Sequence, residues 1–271
     1  MIIIGVFLQS EFSAKDDLKL LGQVEFWSLN RRILDLFGSD VQSAVEEERL
    51  NELQRMDDLI DRWYQDWQVV LDSAGLEDNT SKCFLAFYTH SAKLYLYSHA
   101  FRGRADTDLR AERTALDIQQ IAGDNALAIL RSTMDIAENI RLETLPSYFG
   151  TMIAYASVCI IRTLLDEASR PRSGTQEALR LMREVSQTIL DRPLHDRSHT
   201  LLSIATSLRR AIKQQDQAIQ TATNPPNYDA GPDLSFDFDF GLFVSEQNGM
   251  TFPAYEDFWL PCPDEMPEMA L

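Results

Sequence analysis

The sequence has 271 residues, 45% of them hydrophobic, and carries 25 Lys and Arg against 42 Asp and Glu, a formal charge of −17. That charge argues against direct, unaided binding to nucleic acid phosphates, and the length suits one large domain or two small ones with a sizeable core. Three widely spaced cysteines, Cys83, Cys159 and Cys262, provide no disulfide framework and point to a reducing compartment.

Residues 1–14 open with the apolar run MIIIGVFL, without a basic n-region or a small-residue cleavage site. That is not the pattern of a signal peptide. The run starts abruptly and reads as a truncated leading segment. Residues 15–223 read as one all-α body, because glycine and proline are sparse before residue 224. Leu18, Leu21, Val24, Phe26, Trp27, Ile33, Leu34 and Phe37 predict a helix over 18–37 that Gly38 stops. Ser39 with Gln42 three residues on is a capping-box pattern and starts the next helix, which runs to about residue 72. Its stripe is Leu50, Leu53, Met56, Ile60, Trp63, Tyr64, Trp67, Val70 and Leu71, ended by Gly75. Residues 82–101 carry too many aromatics for one stripe and predict a largely buried helix. Residues 109–142 predict a long helix with Leu116, Ile121, Leu127, Leu130, Met134 and Ala137 inward, kinked or split at Gly123. A shorter amphipathic helix follows over 175–190. Pro193 breaks it, and Ser198 caps a last helix over about 199–219.

The stretch 146–165, PSYFGTMIAYASVCIIRTLL, is the one around which the rest is organised. No charge lies between Pro146 and Arg162, and large apolar side chains point to every side. Such a helix is enclosed by other helices or by lipid. A membrane span needs about 20 apolar residues. Here Arg162 cuts the run short, Asp166 stands one turn on to pair with it, and the flanks are acidic. Pro146 suits the first helical position. The expected fold is therefore all-α, a multi-helix bundle around this buried central helix, with no membrane contact.

From residue 224 the composition changes. Residues 225–271 hold seven of the ten prolines, ten acids, nine aromatics and no Lys or Arg. The clearest piece is DLSFDFDFGLF, 233–243. A lone strand flanked by prolines has nothing to pair with. Acidic–hydrophobic alternation in a disordered tail is the composition of an activation segment, in which like charges keep the aromatics available to a groove. Phe236, Phe238, Phe240, Phe243, Phe258 and Trp259 are the candidate contacts for coactivators. The plainer alternative is a solvated tail that packs a few aromatics on the body.

The sharpest enzymatic pattern is Asp57-Asp58-Leu59-Ile60-Asp61. It resembles the DDxxD of all-α terpene and prenyl synthases, where carboxylates hold Mg²⁺ against pyrophosphate. Asp57 borders the apolar stripe, while Asp58 points away and faces Arg62 at i+4. The partner metal motif fails, since Asp196 and Thr200 are followed by Ile204. His195 and His199 are four apart, but the string HDRSH lacks the metalloprotease Glu, and Pro193 precedes it. His90 and His99 are nine apart and form no pair. No phosphate loop or nucleophile elbow occurs, and the basic groups at 102–113 and 209–213 are interspersed with acids.

Three segments carry a wider resemblance: LIDRWYQDWQ at 59–68, FLAFYTHSAKLYLYSHAF at 84–101 and LPSYFGTMIAYASVCIIRTLL at 145–165. The body, roughly 20–215, resembles the regulatory middle-homology domain of fungal zinc binuclear cluster transcription factors, and an acidic aromatic C-terminus also suits that family. The resemblance implies a nuclear, non-enzymatic regulator of RNA polymerase II transcription with coactivators as partners. It leaves room for a small-molecule effector between helices and for a homodimer. The family reads DNA through six cysteines that bind two zinc ions. This chain has no CxxC, so zinc and base readout do not carry over: no cofactor is expected, and DNA would be reached only through a missing module. The alternative reading is a Mg²⁺-dependent synthase-like enzyme using Asp57 and Asp61.

Overall fold

The computed structural model describes residues 15–38, 47–76, 79–99, 109–166, 174–191 and 199–223. The chain divides into two units, Met1–Gln220 and Thr221–Leu271, and the helical architecture is that of the first. Among the described residues there are seven α-helices, one short 3-10 turn and no strand. They are α1 (Lys15–Phe37), α2 (Glu47–Ser73), α3 (Asn79–Ser98), α4 (Leu109–Asn139), α5 (Ser147–Asp166), α6 (Gly174–Leu190) and α7 (His199–Thr223), with the turn at Leu142–Thr144. The expected all-α bundle is the observed one. The leading segment 1–14, the Ser39 cap and the tail 224–271 lie outside the described residues.

The ends of α1 and α2 follow from two glycines in the left-handed region, where a side chain would be strained. Gly38 has φ +71°, and its N–H donates to Leu34 O at 2.7 Å. Gly75 has φ +66°. Its N–H donates to Asp72 O at 3.1 Å and that of Leu76 to Leu71 O at 2.9 Å, which together make a Schellman close. Arg49 from α2 adds a bond to Leu36 O at 2.6 Å, so the last turn of α1 is satisfied from the next helix.

Of the stripe expected on α2, Leu53, Met56, Ile60, Trp63, Trp67 and Leu71 are buried, Tyr64 and Val70 are half-buried, and the side chain of Leu50 lies outside the described residues. Opposite it on α1 lie Leu18, Phe26, Leu29, Ile33 and Phe37. Val24, expected inward, is exposed, because it lies about 160° around the helix from Phe26. Fully burying side chains such as Phe26 and Ile60 contributes about 1.5–3 kcal/mol each.

α5 is enclosed as its composition requires: no side chain from Tyr148 to Ile161 is exposed. Pro146 stands one residue ahead of it and accepts the Phe149 N–H at 3.0 Å. Among the described residues no helix is long and apolar enough to cross a membrane. The side chains of Arg162 and Asp166 lie outside the described residues.

α4 shares the central position, since it packs on α3, α5 and α6, and its pairing with α3 is the most extensive in the bundle. It runs unbroken through Gly123 and ends at Asn139, short of the expected 142. Its inward face differs in part from the one expected: Leu130 is buried as expected, and the side chain of Leu116 lies outside the described residues. Ile118, Ala122, Asn125, Ala126, Ile129, Leu130, Ser132, Thr133 and Ile136 are buried, whereas Ile121 is 37% exposed. Leu127, Met134 and Ala137 are half-buried at the edges. Small residues let α3 approach closely. The buried hydroxyl of Thr133 is satisfied inside its own helix by Ile129 O at 2.8 Å, as Thr89 is by Leu85 O at 2.8 Å and Ser157 by Ile153 O at 2.6 Å.

α6 and α7 complete the shell. Ser186 donates to Ala205 O at 3.1 Å, Arg183 pairs with Asp216 at 2.6 Å, and Arg209 bonds Gln187. Cys83 is buried and Cys159 half-buried.

Candidate functional site

The six tail aromatics proposed for coactivators, Phe236, Phe238, Phe240, Phe243, Phe258 and Trp259, lie outside the described residues, as do His195 and the side chain of His199. Two arrangements within the bundle can be built from the residues upward.

The first is aromatic. The three segments that carry the family resemblance lie on α2, α3 and α5, and all three meet one cluster. Phe26 of α1 packs on Tyr88 with centroids 4.8 Å apart, on Tyr148 at 5.7 Å and on Trp63 at 6.0 Å. Phe87 stacks on Phe149 at 4.4 Å, and Phe84 meets Phe149 edge-on at 5.5 Å. Edge-to-face and offset geometry of this kind adds about 0.5–1.5 kcal/mol per pair beyond burial. Trp67 sits beside this cluster, against Gly22, where a Cβ would come 3.5 Å from its ring. Its indole N–H donates to Glu25 Oε2 at 2.8 Å. The resemblance thus rests on residues that build one core.

The second is polar. On α2, Asp57 and Asp61 are one turn apart on the edge of the buried stripe. Lys93 of α3 lies between them, its Nζ 3.1 Å from Asp57 Oδ1 and 2.8 Å from Asp61 Oδ1. The Lys93 and Asp57 side chains are only 15% and 14% exposed. Burial alone would lower the Lys93 ammonium, but the hydrogen bond to Asp61 and the Asp57 carboxylate outweigh it and hold it above its ordinary value. Tyr97, one turn on, is pushed up by burial first and by the charge of Asp57 next. His90, one turn back, meets Asn125 of α4, with Nδ1 2.9 Å from Oδ1.

In this geometry the first and last acids of the DDxxD pattern face a cation from the neighbouring helix. The two carboxylates that a Mg²⁺ ion would need are closed on an ammonium supplied by the facing helix. Among the described residues no three His, Cys, Asp or Glu side chains form a metal-holding group. Asp58 also departs from expectation: its carboxylate accepts from Gln54 at 3.0 Å, and Arg62 bonds its backbone carbonyl at 3.2 Å. Lys93 was legible in principle, being the one charged residue between Cys83 and Phe101, and a cation alone in a buried helix needs a carboxylate from elsewhere. His99 packs on Phe37 and Tyr95, with centroids 5.5 and 4.7 Å away.

No family model matches the chain, and no solved structure matches it. It is 24% identical over 221 residues to the "Transcriptional activator of proteases prtT" of Emericella nidulans. That match takes in 78% of this chain and 33% of the relative, so the chain spans about a third of the length of the curated protein it resembles.

Proposed function

We propose that the chain is the C-terminal regulatory and activation part of a fungal-type RNA polymerase II transcription factor, acting in the nucleus through protein contacts. The observation that carries this reading is the similarity to a transcriptional activator across 78% of the chain. That similarity supports a role in transcription regulation. The bundle supplies a helical scaffold with an aromatic core, and the tail supplies acids interleaved with aromatics. Coactivators are the partners, contacted by Phe236, Phe238, Phe240, Phe243, Phe258 and Trp259. The chain uses no cofactor and no catalysis, and a second copy or a small effector between the helices is compatible with this scheme. DNA is read by a zinc cluster that these residues do not include.

A reporter assay tests the tail directly. Residues 225–271 fused to an unrelated DNA-binding domain should raise transcription, and alanine at the six aromatics should abolish the effect. An inactive fusion, or one indifferent to those substitutions, counts against the reading.

A further inference from the structure

The outer face of α1 carries apolar side chains that the bundle does not cover. Leu20 is 61% exposed and Val24 55%. Among the described residues only Val69 of α2 and Ile121 of α4 are other large hydrophobic side chains left exposed, and each stands singly. Scattered apolar side chains need no explanation, but Leu20 and Val24 are one turn apart. Trp27 continues their line: it is half-buried and meets Tyr148 of α5 edge-on at 4.8 Å.

The spacing is that of a helix seam. Asp17, Leu20, Val24, Trp27 and Arg31 follow at steps of three, four, three and four, the a/d repeat along which two helices meet. The inner stripe of α1, with Leu18, Phe26, Leu29 and Ile33, is buried in the bundle. α1 therefore carries a second line of its own on the outside.

The ends of that line select the partner. Asp17 and Arg31 lie seven residues to either side of Val24, about 10 Å along the axis in each direction. When a second copy of α1 lies antiparallel across a two-fold axis beside Val24, the two Val24 side chains meet and Asp17 of each copy comes opposite Arg31 of the other. A parallel pairing would set like charges together at both ends. Arg31 holds Asp35 of its own helix at 2.8 Å, an exposed pair of little strength that leaves the guanidinium able to turn outward. A face that complements itself in this way is what a two-fold dimer requires.

We propose that α1 is a self-association face through which two copies of the chain pair antiparallel, with Leu20, Val24 and Trp27 at the centre and Asp17–Arg31 pairs at the rim. This gives a place to the second copy with which the proposed function is compatible, and it is measured without any transcriptional readout. One helix on one helix is at the low end of interface size, and the net charge of −17 opposes association. The dimer is accordingly weak, with a Kd on the order of 10–100 µM.

The experiment is sedimentation velocity of the full chain from about 5 to about 500 µM in about 0.15 M salt, which screens the net charge. The wild type should pass from monomer to dimer across that range. Val24→Glu changes an exposed side chain and should stay monomeric, with an unchanged urea midpoint to show that it folds. Should it fail to fold, Leu20→Lys on the same line takes its place. Asp17→Lys and Arg31→Glu should each weaken association about tenfold, because each sets like charges together at both rims. The double variant, with the charges exchanged, should recover most of the wild-type affinity, which a mere loss of helix stability would not allow. A wild type that is monomeric throughout overturns the proposal and leaves the face to another occupant. A dimer indifferent to Val24→Glu, or a double variant no tighter than the singles, overturns it as well.

Discussion

Lys93 Nζ lies 2.8 Å from Asp61 Oδ1 and 3.1 Å from Asp57 Oδ1, so one ammonium on α3 holds two carboxylates on α2. The two carboxylates are unequal, since Asp57 is 14% exposed and Asp61 48%. Breaking a largely buried pair by removing one partner costs about 3–5 kcal/mol, because a charge is left unpaired. Lys93→Met should therefore destabilise the bundle toward that range. Adding Asp57→Asn to it should recover part of the loss, which urea unfolding of the single and double variants will show. Asp61→Asn alone, being half in water, should cost no more than about 1 kcal/mol. An undiminished midpoint in Lys93→Met would mean that the clamp does not form.

The two spaced tryptophans of α2 offer a sharper contrast. Trp67 donates its indole N–H to Glu25 at 2.8 Å, whereas the buried Trp63 indole nitrogen has no hydrogen-bond partner. Replacing either by Phe loses ring volume. Only at position 67 does it also leave a partly buried acceptor without its donor, which costs about 1–3 kcal/mol. At position 63 it relieves a buried donor of its desolvation. Trp67→Phe should thus be the more damaging change in thermal or urea unfolding. A reversed order would place the Glu25 bond outside the folded ensemble.

What could be read beforehand tracked side-chain bulk. The α2 stripe was legible because Leu53, Met56, Ile60, Trp63, Trp67 and Leu71 are large and fall at steps of three and four. The burial of α5 was legible because it carries no charge from Ser147 to Ile161. The face of α4 was not legible, because Ala122, Ala126, Ser132 and Thr133 turn inward and Ile121 outward. Periodicity weighs hydrophobicity, while close helix approach selects for small size. The pairing of Asp57 and Asp61 with Lys93 was hidden for another reason. Read along one helix the two acids resemble a metal motif, and their actual partner, Lys93, is more than thirty residues away on the facing helix. The His90–Asn125 pair was invisible for the same reason.

Alkaline pH should expose a second buried group. Burial pushes the Tyr88 hydroxyl up to about 12, with a hydrogen bond to Gln23 opposing it. An unfolded tyrosine ionises near 10. Between those values the folded chain keeps a proton that the unfolded chain has lost. Stability is therefore complete below about pH 10 and is lost as pH rises toward about 12. Tyrosinate absorbance followed alongside circular dichroism should show a fraction of the tyrosines ionising only as the helices melt. Tyr88→Phe should reduce that late fraction. Ionisation of every tyrosine near pH 10 with the helices intact would contradict the buried position of Tyr88.

Two glycines in α1 and at its end should respond to alanine with opposite signs. Gly38 has open space around a prospective Cβ but φ +71°, so the cost of Gly38→Ala is conformational alone, about 1–2 kcal/mol. Gly22 lies within the helix, and its prospective Cβ would rest 3.5 Å from the Trp67 ring, an ordinary contact. Alanine there removes backbone freedom from the unfolded chain and improves helix propensity, a gain of about 0.8–1 kcal/mol. It also adds a methyl to the face that Trp67 covers. Gly22→Ala should raise the urea midpoint and Gly38→Ala should lower it. A loss in Gly22→Ala would mean that α1 lies closer to the Trp67 ring than 3.5 Å allows, so that the alanine forces the two helices apart.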